Sequence, residues 1–192
     1  MTEIPEIKNL VKGDERAFRQ LIDLFSDKVF NLSLGILQDQ QDAQDVTQEI
    51  FTTIFLSIGQ FKGDSKLSTW IYRIAVNKCR EHIRKRSRKK RFGFQTTLEN
   101  TEIGSAVSLK ANFFHPGIEL EEKERAAILF AAIDKLPENQ KVAFSMHKLE
   151  GIPYEEIASI MEVSLSSVES LIFRARQNLR KLLEDYYEKN ER

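Results

Sequence analysis

Apolar positions recur every three or four residues along most of this chain, which is the spacing of one face of an α-helix. Three such stretches fill the first half of the chain and cover residues 18–36, 43–58 and 71–83. Asp14 precedes the first stretch, and an aspartate in that place caps a helix well. No segment shows the strong alternation of apolar and polar residues that marks a strand. The pattern therefore predicts an all-α protein.

The helical pattern stops over residues 96–118, which are rich in Thr, Ser, Asn and Gly. This composition is typical of a connection between domains. Helical spacing resumes directly afterwards and continues almost to the end of the chain. We therefore expect two helical domains, residues 1–95 and residues 119–192, joined by a flexible linker at 96–118.

Two helical patterns near the C-terminus are separated only by Glu162, Val163 and Ser164. Pro153 is expected in the first turn of the first helix, because proline breaks a helix interior. Helices joined by so tight a turn predict a helix-turn-helix, whose second helix lies in the DNA major groove. The alternative is a plain helical hairpin with a solvated face, and the turn pattern favours DNA binding. The outward positions on the second helix are Ser166, Ser167, Glu169, Ser170, Phe173, Arg174, Arg176 and Gln177.

Charge is balanced over the 192 residues, with 29 basic and 29 acidic side chains, yet it is unevenly placed. Residues 78–91 hold nine Lys or Arg and one Glu. Such a cationic helix end predicts contact with nucleic-acid phosphates, although a solvated tail is the alternative. With 41% hydrophobic residues and only short apolar runs, the chain reads as an ordinary globular protein with no membrane insertion.

The third helix carries Trp70, Arg73, Asn77, Glu81 and Arg84 at spacings of three or four, so these side chains share one side. A tryptophan beside arginine and asparagine suits stacking on an unpaired base. Burial of Trp70 in the core is an equally good interpretation, since most tryptophans are partly buried.

A polar loop precedes this helix, and Gly63 permits a sharp turn in it. Its backbone and short polar groups are suited to receiving an extruded base. The loop also reads as a capped helix start, with Asp64, Ser65 or Ser68 as the cap. Both interpretations can hold together.

The second helix has an acidic and polar stripe opposite its apolar face. The stripe consists of Asp45, Gln48, Glu49 and Thr52. Residues 38–50 carry four acids and no base. An acidic face on a DNA-binding protein suits a basic protein partner, and a solvated face is the alternative.

No catalytic, metal or cofactor site is expected. Asp39 and Asp42, with Asp45 and Glu49, can in principle hold Mg²⁺ for nucleic-acid cleavage, but no partnering loop faces them. The three histidines, His82, His115 and His147, have no metal-site spacing with the single cysteine, Cys79. Cys79 reads as a small buried hydrophobe, and the chain has no nucleotide-binding fingerprint.

The motifs together resemble a bacterial sigma factor of the extracytoplasmic function (ECF) group in the sigma-70 family. In the first half the resemblance rests on GDERAF, DAQDVTQEIF and FKGDSKLSTWIYRIAVNK with the basic segment after it. In the second half it rests on LPENQKVAF, LEGIPYEEIASIM and FRARQNLRK. Several motifs in the right order cover nearly the whole chain outside the linker.

The resemblance implies three surfaces. Docking on core RNA polymerase falls to Asp45, Gln48, Glu49 and Thr52. Recognition and melting of the −10 promoter element fall to Phe61, Lys62, Gly63, Asp64, Ser65, Trp70, Arg73, Asn77 and Arg84. Contact with the duplex −35 element falls to Ser166, Ser167, Ser170, Arg174 and Arg176.

Three positions depart from the family pattern, two on the recognition helix and one on the −10 face. Glu169 and Leu171 stand where the recognition helix often carries arginine, so its other residues are expected to contribute more of the −35 contact. Glu81 replaces a polar or amide residue common on the −10 face.

The resemblance further implies a cytoplasmic protein that is not an enzyme and that an anti-sigma factor controls. The alternative is a stand-alone helix-turn-helix regulator, which leaves the acidic stripe and residues 61–91 without a task.

Overall fold

The computed structural model describes the backbone of residues 5–93 and 120–190, and all regular structure in these ranges is helical. The helices are α1 (Ile7–Val11), α2 (Glu15–Leu37), α3 (Gln40–Ser57), α4 (Leu67–Gly93), α5 (Leu120–Asp134), α6 (Glu138–Leu149), α7 (Tyr154–Met161) and α8 (Leu165–Asn190). A short 3-10 turn, Ile58–Gln60, follows α3. The predicted all-α class is confirmed. The predicted linker lies outside the described residues, so the domain boundaries stay a prediction.

Helices α2, α3 and α4 form the N-terminal bundle, and the predicted periodicity accounts for its core. The Asp14 carboxylate accepts hydrogen bonds from the backbone N–H groups of Arg16 and Ala17 at 2.8 and 3.0 Å, so it caps α2 as predicted. The buried side chains include Leu21, Val29, Leu32, Val46, Ile50, Ile54, Ile71, Ala75 and Cys79, each at most 1% exposed. One apolar stripe of each helix therefore meets the other two.

The C-terminal group comprises α5 to α8, with the helix-turn-helix formed by α7 and α8. Glu162 ends α7 in the left-handed conformation with φ of 58°. Val168 and Ile172 of α8 are buried, as is Ile157 of α7. Pro153 was expected in the first turn of α7, but it lies just before the helix, at the capping position. The ψ angle of Pro153 is 152°, which is extended and not helical, so the helix begins only at Tyr154.

The two groups of helices pack against each other, α6 on α2 and α7 on α4. One buried apolar cluster runs through both groups and includes Leu32 and Ile36 as well as Met146 and Ile157. Gly35 allows α6 to approach α2 closely. A Cβ atom at this position would lie 2.5 Å from Leu149 Cδ1 and 3.0 Å from Ser145 Oγ.

Glu150, at the end of α6, is a carboxylic acid in this contact between the two groups. Its Oε1 atom is buried without a hydrogen-bond partner. Burial raises the pKa of Glu150 to about 7, although Lys28 on α2 and a hydrogen bond with Tyr72 on α4 act in the opposite direction. Burial also raises the pKa of Tyr72, and the charges of Glu150 and Glu156 raise it further. The packed arrangement therefore favours a protonated Glu150.

The packed arrangement should lose stability as the pH rises from 4.5 to 7. The pKa of Glu150 is 4.5 in the unfolded chain and about 7 in the packed one, so the packed state binds more protons in this pH range. We expect the free energy of unfolding, measured by urea denaturation, to fall more steeply with pH in the wild type than in Glu150→Gln. Glu155→Gln, which removes an exposed acid nearby, is the control and should keep the wild-type slope. Equal slopes for Glu150→Gln and the wild type would contradict the assignment.

Candidate functional site

The acidic stripe of α3 is exposed along its length. Asp45, Gln48, Glu49 and Thr52 all face solvent. Their described hydrogen bonds stay within α3: Gln41 donates to the Asp45 carboxylate at 3.1 Å, and Thr52 donates to the Gln48 carbonyl at 2.8 Å. The stripe is thus an unobstructed surface of carboxylate and amide groups.

The two other acids of this segment have structural tasks. Asp39 accepts the backbone N–H of Asp42 at 2.9 Å and caps α3. The Asp42 carboxylate lies 3.2 Å from both His82 Nε2 and Arg86 Nη1 on α4. These two carboxylates are therefore tied to the fold, and only Asp45 and Glu49 remain for a partner.

Two apolar side chains extend the acidic stripe, and the sequence analysis missed them. Leu56 is 74% exposed and lies four residues after Thr52, on the same side of α3. Phe55 is 53% exposed and makes an edge contact with Phe18 on α2, with ring centroids 5.1 Å apart. An exposed leucine and phenylalanine beside carboxylates are typical of a protein contact.

The loop before α4 is open, as predicted. Gly63 has φ of 79°, which confirms that a glycine makes the turn there. Lys62 and Asp64 are exposed, and Phe61 and Ser65 are half-buried. Solvent can therefore reach polar groups along the loop.

The three residues proposed as caps of α4 do not occupy the capping position. The helix begins at Leu67, so Lys66 stands directly before it. The Ser68 hydroxyl instead donates to Glu156 at 3.0 Å, and Ser65 contacts the Lys66 carbonyl at 3.4 Å.

Trp70 is only half-buried, so the structure agrees in part with both predictions for it, stacking on an unpaired base and burial in the core. It is half-buried and packs against the core, with its ring 5.4 Å from that of Phe61. Asn77 and Arg84 lie further along the same side of α4 and are exposed. The helix thus presents part of an indole ring beside an amide and a guanidinium group.

Arg73 is drawn away from this group towards α7. Its Nη2 donates to the Ser159 carbonyl at 2.8 Å, and its Nη1 lies 3.4 Å from the Glu162 carboxylate. The predicted position of Arg73 beside Trp70 on the helix is correct, but the contact of Arg73 with α7 was not predicted.

A cluster of donors at the start of α4 was also missed. The hydroxyls of Ser68 and Thr69 both donate to Glu156 Oε1 at 3.0 Å. The Lys66 ammonium lies 3.7 Å from the other carboxylate oxygen. These three groups with Arg73, hereafter the α4 donor cluster, converge on acidic residues of α7.

The basic end of α4 is partly neutralised within the molecule. Glu81 pairs with Lys85 at 2.9 Å and with Lys78 at 3.7 Å, and these lysines lower its pKa. Arg80 reaches Glu138 and Asn139 of α6. Glu81, whose role the sequence left open, therefore has an intrahelical partner on each side.

Most of the predicted recognition residues are exposed on the outer face of α8. Ser166, Ser170, Arg174 and Arg176 are exposed, and so is Glu169. Phe173, in the middle of this face, is 61% exposed.

Ser167 is half-buried and belongs to a local network at the start of α8. Its hydroxyl lies 2.8 Å from the Ser164 hydroxyl, which also accepts the Ser167 N–H at 3.2 Å. The Ser164 hydroxyl therefore satisfies a backbone donor in the first turn of α8, and the Ser167 hydroxyl is held against it.

The part of the chain that the structure describes gives little support for metal binding, thiol chemistry or membrane insertion. No group of three or more His, Cys, Asp or Glu residues there is placed to hold a metal ion. Burial raises the pKa of the Cys79 thiol to about 12, so this thiol is inert. None of the described helices has the length and apolar character that a membrane crossing requires.

A helix-turn-helix, a basic helix beside an indole ring and a separate acidic face are typical of a protein of transcription. Two family models match the chain: sigma-70 region 2 over residues 21–89 and sigma-70 region 4 over residues 126–179. The RNA polymerase sigma-H factor of Pseudomonas aeruginosa is 33% identical over 93% of this chain and 92% of that protein. The ECF RNA polymerase sigma-E factor of Escherichia coli K12 is 33% identical over 92% of each.

Two solved structures have a similar fold. CnrH, in complex with the cytosolic domain of CnrY, matches with a TM-score of 0.66 at 21% identity, over 93% of this chain and 95% of that one. RpoE of Bartonella quintana, in complex with the anti-sigma factor NepR, matches with a TM-score of 0.67 at 22% identity, over 87% and 96%.

This chain belongs to the sigma-70 family and is an RNA polymerase sigma factor of the ECF type. It directs core RNA polymerase to promoters and initiates transcription.

Proposed function

We propose that this sigma factor divides its work among three surfaces and acts in the cytoplasm without catalysis of its own. The acidic stripe of α3 binds core RNA polymerase, the loop and side of α4 bind the unpaired −10 strand, and α8 binds duplex −35 DNA. The observation that carries the proposal is the exposure of both Asp45 and Glu49 on α3, of which only Glu49 interacts with a basic side chain among the described contacts, through the charge of Lys85 on α4. DNA repels such a surface, whereas a basic protein attracts it.

The polymerase contact is proposed to extend beyond the charged residues. Leu56 continues the stripe with an apolar side chain, and Phe55 lies beside it. Apolar anchors next to charged groups combine affinity with correct orientation in protein interfaces. Docking therefore rests on Asp45, Gln48, Glu49 and Thr52 together with this apolar end.

Charge reversal on the stripe tests the docking surface. Asp45→Lys/Glu49→Lys should weaken binding to purified core polymerase by at least about tenfold, because two carboxylates that face a basic partner become repulsive. Asp23→Lys/Asp27→Lys is a matched control, since these exposed acids on α2 have the same spacing of four residues. Fluorescence anisotropy measures the dissociation constants, and circular dichroism checks the fold. Equal weakening in both variants would contradict the assignment, and no binding by the wild type would favour a stand-alone regulator.

The −10 surface is proposed to trap unpaired bases, so that binding to the open strand drives melting. The half-buried Trp70, held by Phe61, presents a rigid ring for stacking. Asn77 and Arg84 on the same side supply hydrogen bonds and charge, and Lys62, Gly63, Asp64 and Ser65 form the adjoining loop. Stacking of one base on an aromatic ring contributes about 1–3 kcal/mol.

Replacement of the indole ring tests this surface. With core polymerase present, Trp70→Ala should weaken binding to a promoter containing an unpaired −10 bubble by about 5- to 150-fold, the equivalent of one stacked base. Trp70→Phe should keep most of the affinity. Binding to the isolated −35 duplex is the internal control, because a merely unfolded variant would lose it too. An unchanged bubble affinity in a folded Trp70→Ala protein would refute the role.

The −35 surface is proposed to read bases with the middle of the α8 face and phosphates with its two edges. Ser166, Ser170 and Phe173 lie in the middle, with Arg174 on one edge and Arg176 on the other. Glu169 lies between Phe173 in the middle and Arg176 on the edge, and we assign it to the base-reading part, because a carboxylate can accept a hydrogen bond from cytosine N4 but is repelled by phosphate. A phenylalanine contacts the methyl group of thymine.

A change of base preference tests the role of Glu169. Duplex DNA selected from a random library by the wild type should contain a cytosine that Glu169→Gln no longer requires, a loss of about 1–3 kcal/mol of discrimination at that position. Glu184→Gln, the same change on an exposed residue later in α8, should leave the selected sequence unaltered. Identical selected sequences for Glu169→Gln and the wild type would exclude base readout by this residue.

Control by an anti-sigma factor is also part of the proposal. One of the two similar structures is a complex of that kind, the sigma factor RpoE of Bartonella quintana with the anti-sigma factor NepR. By analogy, we propose that a protein of this class binds the present chain.

A further inference from the structure

We propose that α1 is a second element of the polymerase-docking surface and that its apolar face continues the stripe of α3. The partner is the same part of core RNA polymerase that presents basic groups to α3. Beyond those groups it presents apolar side chains and then carboxylates. This inference rests on the proposed docking role of α3 and extends it to a helix that the sequence pattern did not predict.

The apolar face of α1 is only partly covered by the core. Ile7, Leu10 and Val11 have helical spacing, so they share one side of this five-residue helix. Leu10 is buried at 3% exposure, whereas Ile7 is 37% and Val11 is 50% exposed. Packing of the core therefore accounts for Leu10, and the other two residues leave apolar surface uncovered.

This uncovered surface lies at the end of the acidic stripe. Helix α1 packs on α2 and on the short turn Ile58–Gln60, which follows α3 directly. The start of α2 lies beside the same end of α3, since the Phe18 and Phe55 rings are 5.1 Å apart. Exposed apolar residues grouped in this way mark a contact with another protein. We refer to the group as the α1–α3 patch, which consists of Ile7, Val11, Phe55 and Leu56.

The charge along this surface changes sign from one end to the other, which indicates the chemistry of the occupant. Asp45 and Glu49 form the acidic end on α3, and residues 50–61 carry no charged side chain. Lys8 and Lys12 form the basic end, since both are exposed and each directly follows an apolar residue of the patch. A matching partner therefore carries basic, apolar and acidic groups in that order. DNA is negatively charged throughout and does not fit this order.

Helix α1 is held in place before any partner binds. The Asp14 N–H donates to the Asn9 carbonyl at 3.1 Å, and the Gly13 N–H donates to the Leu10 carbonyl at 3.0 Å. Asp14 also caps α2, so one residue joins the short helix to the long one. A helix as short as α1 does not persist alone in water. These contacts fix its side chains, so that binding costs little further conformational entropy.

Truncation of one apolar side chain tests the patch. Val11→Ser should weaken binding of the full chain to purified core polymerase by about fivefold, because the exposed half of the valine no longer contributes apolar contact. Asn9→Ser is the matched control, since Asn9 is exposed on the same helix and lies off its apolar face. Fluorescence anisotropy measures both dissociation constants, and circular dichroism checks the fold.

Charge reversal at the basic end gives an independent test. Lys8→Glu/Lys12→Glu should weaken binding to core polymerase by about tenfold at low salt, because two cations that face carboxylates become repulsive. The difference should shrink as the salt concentration rises, since salt screens exposed charges. Arg16→Glu/Arg19→Glu, which reverses two exposed cations on α2, is the control and should bind like the wild type.

Hydrogen exchange decides the question without any substitution, in case Val11→Ser does not fold. Backbone amides of residues 7–13 in the wild type should exchange about fivefold more slowly in the complex with core polymerase than in the free chain, because docking suppresses local opening. Slower exchange over residues 45–56 with unchanged exchange over residues 7–13 would overturn the inference.

The outcomes separate this inference from the proposed function. If Asp45→Lys/Glu49→Lys binds core polymerase as tightly as the wild type, the proposed docking role of α3 fails. If that variant binds weakly while the Val11 and Lys8/Lys12 variants match their controls, only the extension to α1 is overturned. A concentration-dependent dimer of the wild type that Val11→Ser abolishes would assign the patch to a second copy of this chain and would also overturn the inference.

Discussion

The end of α2 is surrounded by other helices, and the arrangement of the molecule depends on this burial. Residues 32–37 are buried without interruption, so no side of this segment faces solvent. A helix that meets only one partner shows a stripe of burial, whereas burial all round requires neighbours on every side. Helices α3 and α4 pack on α2 from the N-terminal group, and α5 and α6 pack on it from the C-terminal group. If α6 leaves, Gly35 loses the cover of Ser145 and Leu149, so the position of the C-terminal group follows from the N-terminal helix.

The sequence predicted the local structure well, because local structure depends on neighbours in the chain. The spacing of apolar residues identified α2, α3, α4 and the helix-turn-helix, and Asp14 identified a cap. Gly63 identified the open turn. The ion pairs of Glu81 were not predicted, although lysines stand three residues before it and four residues after it. Each of these features needs information from only a few residues.

The contact between the two groups could not be predicted in the same way. Ser68 and Glu156 are 88 residues apart, and no periodicity relates them. From the sequence, Arg73 was therefore predicted to be free for DNA and Ser68 to be a candidate cap, while the structure turns both towards α7. Leu56 was missed for a different reason: the stripe was predicted from its charged and polar residues alone, although a spacing of four residues from Thr52 places this leucine on the same side of α3. Whether the predicted surface residues bind polymerase and DNA stays a prediction.

Glu162 takes part both in the local turn at the end of α7 and in a contact with Arg73, which is far from it in the sequence. It ends α7 in a left-handed conformation that glycine adopts without steric cost and that a glutamate adopts only with strain. The same glutamate carries the carboxylate that lies beside Arg73 on α4. A glycine at this position would suit the turn of the helix-turn-helix better and would at the same time remove a link between the two halves of the molecule. One residue therefore serves both the turn between α7 and α8 and the contact between the two halves of the molecule.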